Sequence, residues 1–150
     1  MGYPLVWPAD PEAWLTGGRQ VCAFVAELDG VIRGHVAVAR AKPGEAASAW
    51  AAELRVAVGE LLCVSLLFVD PEAQGSGLGS RLLDVARTEI LDLGATPALE
   101  VISLSTRAIE LYEARGWRRI GSVGYSWLPE PERSFLYVAP DGRPNHSACS

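Results

Sequence analysis

Apolar residues alternate with polar ones at period two in some stretches of this chain and recur every three to four positions in others; the switches between these rhythms mark out the elements. Residues 21–28 and 31–41 are strand-like and flank Asp29-Gly30, a dipeptide suited to a tight hairpin turn. Gly34 inside the second strand predicts a bulge or a close approach by another element. Lys42-Pro43-Gly44 breaks that strand, and residues 45–54, alanine-rich around Trp50, are helix-compatible, with few core-forming side chains, as expected of a mobile flap or a surface excursion. Residues 60–69 read as a central strand, stopped by Asp70-Pro71. Leu82, Leu83, Ala86, Ile90 and Leu93 then fall at helical spacing over 81–93, and Gly94 ends the pattern. Thr96-Pro97 separates this helix from a strand at 98–102. A second helix is expected at 107–115, ended by Gly116, with Ala108, Leu111, Tyr112 and Arg115 on one face. Residues 117–125 and 134–138 read as closing strands around Pro129 and Pro131. The sum is a mixed α/β sheet with flanking helices.

The ends are less patterned. Pro4, Pro8 and Pro11 interrupt residues 1–20, where Asp10-Pro11-Glu12 predicts a short helix through Leu15, stopped by Gly17-Gly18. Residues 1–20 are therefore expected as a short N-terminal segment, residues 21–139 as the domain proper, and 140–150 as a frayed tail.

Between the strand at 60–69 and the helix at 81–93 lies Gln74-Gly75-Ser76-Gly77-Leu78-Gly79. Three glycines on alternate positions do not make a strand, because glycine has no side chain to pack and loses the most backbone freedom on ordering. In the order strand, glycine loop, helix they aim unpaired amides and the positive end of a helix dipole at one point, an arrangement that holds a pyrophosphate. Ser80-Arg81 follows Gly79 in place of the Lys-Ser/Thr of a nucleotide-hydrolysing loop, and the glycine spacing is not that of a dinucleotide fold.

Val69-Asp70-Pro71 followed by Gln74-x-x-Gly77-x-Gly79 resembles the acetyl-CoA signature Q/R-x-x-G-x-G/A of the GNAT N-acetyltransferases. Downstream, Ser105-Thr106-Arg107-Ala108-Ile109-Glu110-Leu111-Tyr112-Glu113-Ala114-Arg115-Gly116-Trp117 is similar to that family's N-x-x-A-x-x-L-Y-E-x-x-G-F segment. The resemblance covers about residues 21–138. It implies a mostly antiparallel central sheet in which the strands at 60–69 and 98–102 splay apart, with an N-terminal strand and helix shortened here. It also implies acetyl-CoA as co-substrate and direct transfer to a primary amine of a small molecule or protein. Phe68, Val69, Gln74, Gly75, Ser76, Gly77, Leu78, Gly79, Ser80 and Ser105 are the implied cofactor contacts, with a backbone amide near Val69 polarising the thioester carbonyl. Tyr112 is the implied general acid.

The general base stays open. Cys63 stands where many family members carry glutamate. Glu60 lies on the opposite strand face from Cys63 and Ser65 in a regular strand, so it serves only if a bulge reverses the alternation. Ser65 is a second candidate, relaying a proton through water; a water chain alone, or an acceptor bound already neutral, also remains. An imidazole suits a general base, but the place of His35 in a central strand favours packing. Arg115, Arg118 and Arg119 are candidates for the adenosine 3′-phosphate or for a solvated helix end.

Composition narrows the class further. A chain of 150 residues, 49% of them hydrophobic, suits one domain with one core. No apolar run approaches the ~20 residues of a membrane span. Three widely spaced cysteines, Cys22, Cys63 and Cys149, form neither a disulfide framework nor a metal cluster and suggest free thiols in a cytoplasmic setting. A net charge of −5 argues against nucleic acid and mildly favours a cationic acceptor. Alternatives to an enzyme are a GNAT fold that binds acyl-CoA without turnover, or a homodimer in which a second copy supplies the missing first strand.

Overall fold

The computed structural model describes residues 19–140 in full and the strand at 5–9 as backbone. The expected helix at 10–15, most of the tail and Cys149 lie outside the described residues.

Among the described residues seven strands form one sheet in the order β1-β2-β3-β4-β5-β7-β6. The hairpin β2 (Gln20–Leu28) and β3 (Val31–Arg40) turns at Asp29-Gly30, both in the left-handed region at φ 55° and 79°. That is the geometry a two-residue turn between right-twisted strands requires. β3 pairs antiparallel with β4 (Leu61–Val69), which runs parallel to β5 (Thr96–Ile102); β7 (Ser134–Val138) lies antiparallel between β5 and β6 (Arg118–Val123). Glu60 is not part of β4; it ends a short 3₁₀ turn before it.

The edge beside β2 is not vacant. β1 (Leu5–Ala9) pairs antiparallel with it, with Pro8 opposite Phe24. Proline is tolerated there because an edge strand has one side with no ladder to complete. The first strand is thus short but present, and the reason for expecting a second copy to supply it falls away.

Helices cover both faces. α2 (Leu78–Asp92) and α3 (Thr106–Ala114) pack on one, where Leu78, Leu82, Leu83, Ala86 and Ile90 of α2 are buried against Val36, Val38, Val64, Leu99 and Tyr137. On the other face α1 (Glu45–Leu54) buries Ala46, Trp50 and Leu54 against Leu61, Ala98, Leu136 and Val138. Residues 45–54 are therefore not a surface excursion but the cover of a second core. Trp50, 2% exposed, anchors it, and the small alanines let the helix lie close to the sheet. Among the described residues no helix is long and apolar enough to cross a membrane.

Gly34 meets both expectations for it. Register slips between Ala26 and Glu27, leaving Arg33 as an extra residue next to it, and a Cβ on Gly34 would stand 2.7 Å from Leu82 Cδ1. α2 crosses the sheet at this bare position.

Candidate active site

Two irregularities in β4 build the site. The first is where its pairing with β5 stops: the ladder covers only Leu61–Thr96, Leu62–Pro97 and Cys63–Ala98, after which the two parallel strands part. The second is a bulge. His35 faces Phe68 and Ala37 faces Ser65, so Val36 opposes both Leu66 and Leu67, with Leu66 at φ 50°. His35 Nδ1–H donates to the Leu66 carbonyl at 2.9 Å and its ring stacks on Phe68 at 5.0 Å. His35 therefore braces the bulge, and it lines neither cavity described below.

The bulge lies beyond Cys63 and Ser65, so it leaves their face unchanged. Both point to the α1 side, and Glu60 is not brought to them. Its carboxylate instead accepts from its own turn, at the Ala57 amide, 2.9 Å away.

On the far side of the wedge β4 runs into the glycine loop. Arg33 holds its start: the guanidinium reaches Asp70 at 2.8 Å and Glu72 at 3.4 Å, while Asp70 Oδ1 accepts from the Glu72 amide at 3.0 Å. The Glu72 amide first, and Arg33 next, keep the Asp70 carboxyl below the usual range. Gly75 and Gly77 occupy the left-handed region at φ 85° and 84°, where a side chain costs roughly 1–2 kcal/mol. Gly79 is bare for another reason: a Cβ there would approach Leu111 Cδ2 of α3 to 3.3 Å. Gly77 caps α2 without a side-chain bond, so by helix geometry the amides of Leu78, Gly79 and Ser80 have no carbonyl behind them.

These elements enclose two cavities. One, of about 670 Å³, is lined by Phe68, Val69, Gln74, Gly75, Gly77, Gly79, Ser80 and the α3 residues Arg107 and Leu111. Ser76 and Leu78 do not line it. The Ser76 hydroxyl turns back to the Ala73 carbonyl, and the Leu78 side chain is buried in the core. Arg107, unremarked in the sequence, lies on this wall and donates to the Gln74 side chain across the cleft. Arg115, Arg118 and Arg119 are elsewhere, paired with Asp84 at 2.5 Å, paired with Glu53 at 3.2 Å and set over the Phe135 ring.

The second cavity, of about 700 Å³, opens on the α1 face between β4 and β5, and Cys63, Ser65, Glu100, Ser105 and Tyr125 are on its wall. Ser105, expected as a cofactor contact, stands at the N-cap of α3 without a capping bond through its side chain and lines this cavity, not the one beside the glycine loop. Glu100 is the carboxylate that sequence reasoning passed over. Its Oε2 accepts from Tyr125 Oη at 2.8 Å and Ser134 Oγ at 2.6 Å, which fixes it on the wall. The signal was a lone acid inside Ala98-Leu99-Glu100-Val101-Ile102, on the same strand face as Ala98, the partner of Cys63. Burial, with Glu100 adding and Arg19 opposing, pushes the Cys63 thiol up to about 12, so it stays protonated and is no nucleophile.

The cavities touch. Leu67, Ala108 and Tyr112 line both. Burial pushes the Tyr112 phenol up to about 12.

Residues 19–119 match the profile of the acetyltransferase (GNAT) domain. The chain belongs to the GNAT acetyltransferase family. Mycothiol acetyltransferase of Geodermatophilus obscurus is 42% identical over 72 residues, 47% of this chain; the match spans only 22% of that relative. A GNAT structure from Bacillus anthracis, assigned as a streptothricin acetyltransferase and solved with acetyl coenzyme A, superposes with a TM-score of 0.63 at 18% identity, over 81% of this chain and 62% of the other. Nourseothricin acetyltransferase gives 0.62 at 26% identity, over 79% and 64%. The ribosomal-protein-S18-alanine N-acetyltransferase of Escherichia coli gives 0.62 at 19%, over 96% and 84%. At under a quarter identity, the Bacillus and Escherichia structures speak for the GNAT fold alone.

Acetyl-CoA is the co-substrate of GNAT enzymes. The 670 Å³ cavity fits its diphosphate: open amides at a helix start, two glycines where a side chain is strained, and one arginine at the rim.

Proposed function

We propose that this chain is an acetyl-CoA-dependent N-acetyltransferase that passes the acetyl group directly to a primary amine. The observation that supports it is the junction: a cavity with phosphate-binding features and a cavity holding a carboxylate share the wall made by Leu67, Ala108 and Tyr112. Two reactants held on either side of the wedge meet there, which turns a bimolecular encounter into a positioned one.

Bound acetyl-CoA supplies a thioester; the chain supplies the rest. Past Cys63 the β5 side of β4 has no ladder partner, so an amide near Val69 or the bulge is available to the carbonyl oxygen, a donor worth roughly 10²–10³ in rate. Glu100 takes the amine proton. An amine of pKa near 10.4 is neutral only ~0.1% of the time or less at pH 7, so this step matters. Both hydrogen bonds to Glu100 fall on Oε2, leaving Oε1 for the proton. Tyr112, protonated at neutral pH because burial raises it, returns a proton to the departing sulfur. Ser65 and Cys63 shape the floor, and Glu60 takes no part.

The test is thiol release from acetyl-CoA with pooled amines, on the intact chain and on Glu100→Gln. Amine-dependent release that falls by roughly 10²–10⁴ in kcat/KM in the variant, with acetyl-CoA binding kept, is expected. Acetyl-CoA binding without release from any pool would replace this reading with a non-catalytic acyl-CoA binder.

A further inference from the structure

The 700 Å³ cavity is mixed in charge although the protein around it is acidic. The chain carries −5 overall, yet Arg19 and Lys42 line this cavity together with the carboxylates Glu45 and Glu100. The cations are gathered at one end. Arg19 immediately precedes β2, its carbonyl accepts from the Arg40 amide at 2.9 Å, and Lys42 follows two residues later. Glu100 stands across the sheet on β5. The order β2-β3-β4-β5 puts two strands between the two ends. Cys63 of β4 lies between them, close enough that Glu100 raises its pKa and Arg19 opposes the rise. The cavity is therefore polarised along its length, negative towards Tyr125 and positive towards the start of β2.

We propose that the acceptor is a small amine that carries a carboxylate or another anionic group, bound with its amine at Glu100 and its anion at the Arg19–Lys42 end. This rests on the acetyl-transfer reading above and narrows it. A polycationic amine is disfavoured, since extending it along the cavity from Glu100 carries its other nitrogens towards Arg19 and Lys42. A zwitterion meets a complementary charge at both ends. The overall acidity of the chain, which by itself favours a cationic acceptor, does not extend to this wall.

The experiment is thiol release from acetyl-CoA with free amino acids whose carboxylate lies at increasing distance from the amine, from α-amino acids to 6-aminohexanoate, with the matching primary amides, phosphoethanolamine and spermidine, each at varied concentration. Anionic amines are expected to exceed the amides in kcat/KM by about tenfold or more, the worth of one charged hydrogen bond. The comparison is stringent, because the amide derivatives lose their ammonium proton more readily. The phosphoethanolamine arm tells a phosphate from a carboxylate. In Arg19→Gln and Lys42→Gln the ratio of anion to amide is expected to shrink through KM. Amides or spermidine turning over as well as the anions would overturn this proposal and leave the transferase reading standing, as would a ratio untouched in both variants. No release from any amine, with acetyl-CoA still bound, would overturn the transferase reading and this proposal with it.

Discussion

Replacing Tyr112 by phenylalanine removes one oxygen from the wall the two cavities share and disturbs little else. The side chain is buried, 7% exposed, among Leu78, Leu82, Leu99 and Val101, and its ring tilts against Tyr137 at 6.1 Å. Phenylalanine keeps those contacts. What is lost is a proton donor whose pKa burial has pushed to about 12. At pH 7.5 such a phenol is ionised in fewer than about one molecule in 10⁴, so it always has a proton to give. It gives it reluctantly: transfer to a thiolate of ordinary pKa, about 8.5, runs uphill by about 3.5 units, or about 5 kcal/mol at 1.36 kcal/mol per unit. A general acid so mismatched works near the low end of the usual 10²–10⁴. Tyr112→Phe is accordingly expected to lower kcat and kcat/KM together by about 10², with acetyl-CoA affinity within about twofold. Steady-state thiol release gives the rates and calorimetric titration with acetyl-CoA the affinity. Full turnover in the variant would refute the assignment. A loss that appears only as weaker acetyl-CoA binding would place the phenol in recognition instead.

Other predictions concern stability and the cofactor. Gly34→Ala brings a methyl to 2.7 Å from Leu82 Cδ1 and 3.3 Å from the Phe68 carbonyl; the overpacking costs about 1–3 kcal/mol against a backbone gain of about 0.5–1 kcal/mol. Urea titration should therefore show a net loss, and a rise in midpoint would contradict the close crossing of α2. Arg107→Gln is expected to weaken acetyl-CoA binding by about tenfold but to leave S-acetyl-pantetheine, which lacks the diphosphate, unaffected; equal weakening of both would move Arg107 away from the phosphates. Burial holds the Tyr112 pKa above the ordinary phenol value of about 10, so its contribution to stability is whole below pH 10 and lost as pH rises towards 12. At pH 11 that loss is about 1.4 kcal/mol, read as a steeper fall between pH 9 and 11 in the wild-type chain than in Tyr112→Phe; parallel curves would show an unshifted phenol.

The elements that were legible in the sequence are those whose determinants are local. Asp29-Gly30 and the Gln74–Gly79 loop demand backbone angles that few other residues supply, and Gly94 and Gly116 end their helices for the same reason. The face of Cys63 and Ser65 followed from strand alternation alone. What was missed depends on partners distant in the chain. Leu66 in a left-handed conformation has no local signature, since it is held there by His35 from β3 and by register with Val36. β1 looked broken by Pro8 because the sequence does not announce that its outer side is an edge. The alanines of α1 suggested a surface segment, although their smallness is what lets Trp50 reach the second core. Glu100 looked like the one flaw in an apolar strand until Tyr125 and Ser134, both far along the chain, came to hold it.

Only three residue pairs stitch β4 to β5, whereas five join β5 to β7 and five join β1 to β2. The molecule is in effect two half-sheets riveted at one end. A partial opening along that seam breaks the fewest interstrand pairs, and local opening of this kind is what amide hydrogen exchange reads. A ligand lying in the wedge acts as a second rivet. Slowed exchange on binding acetyl-CoA is then expected not only in the glycine loop but at Leu61–Cys63 and Thr96–Ala98, at the far end of the seam, and protection confined to the loop would show that the two half-sheets do not part there.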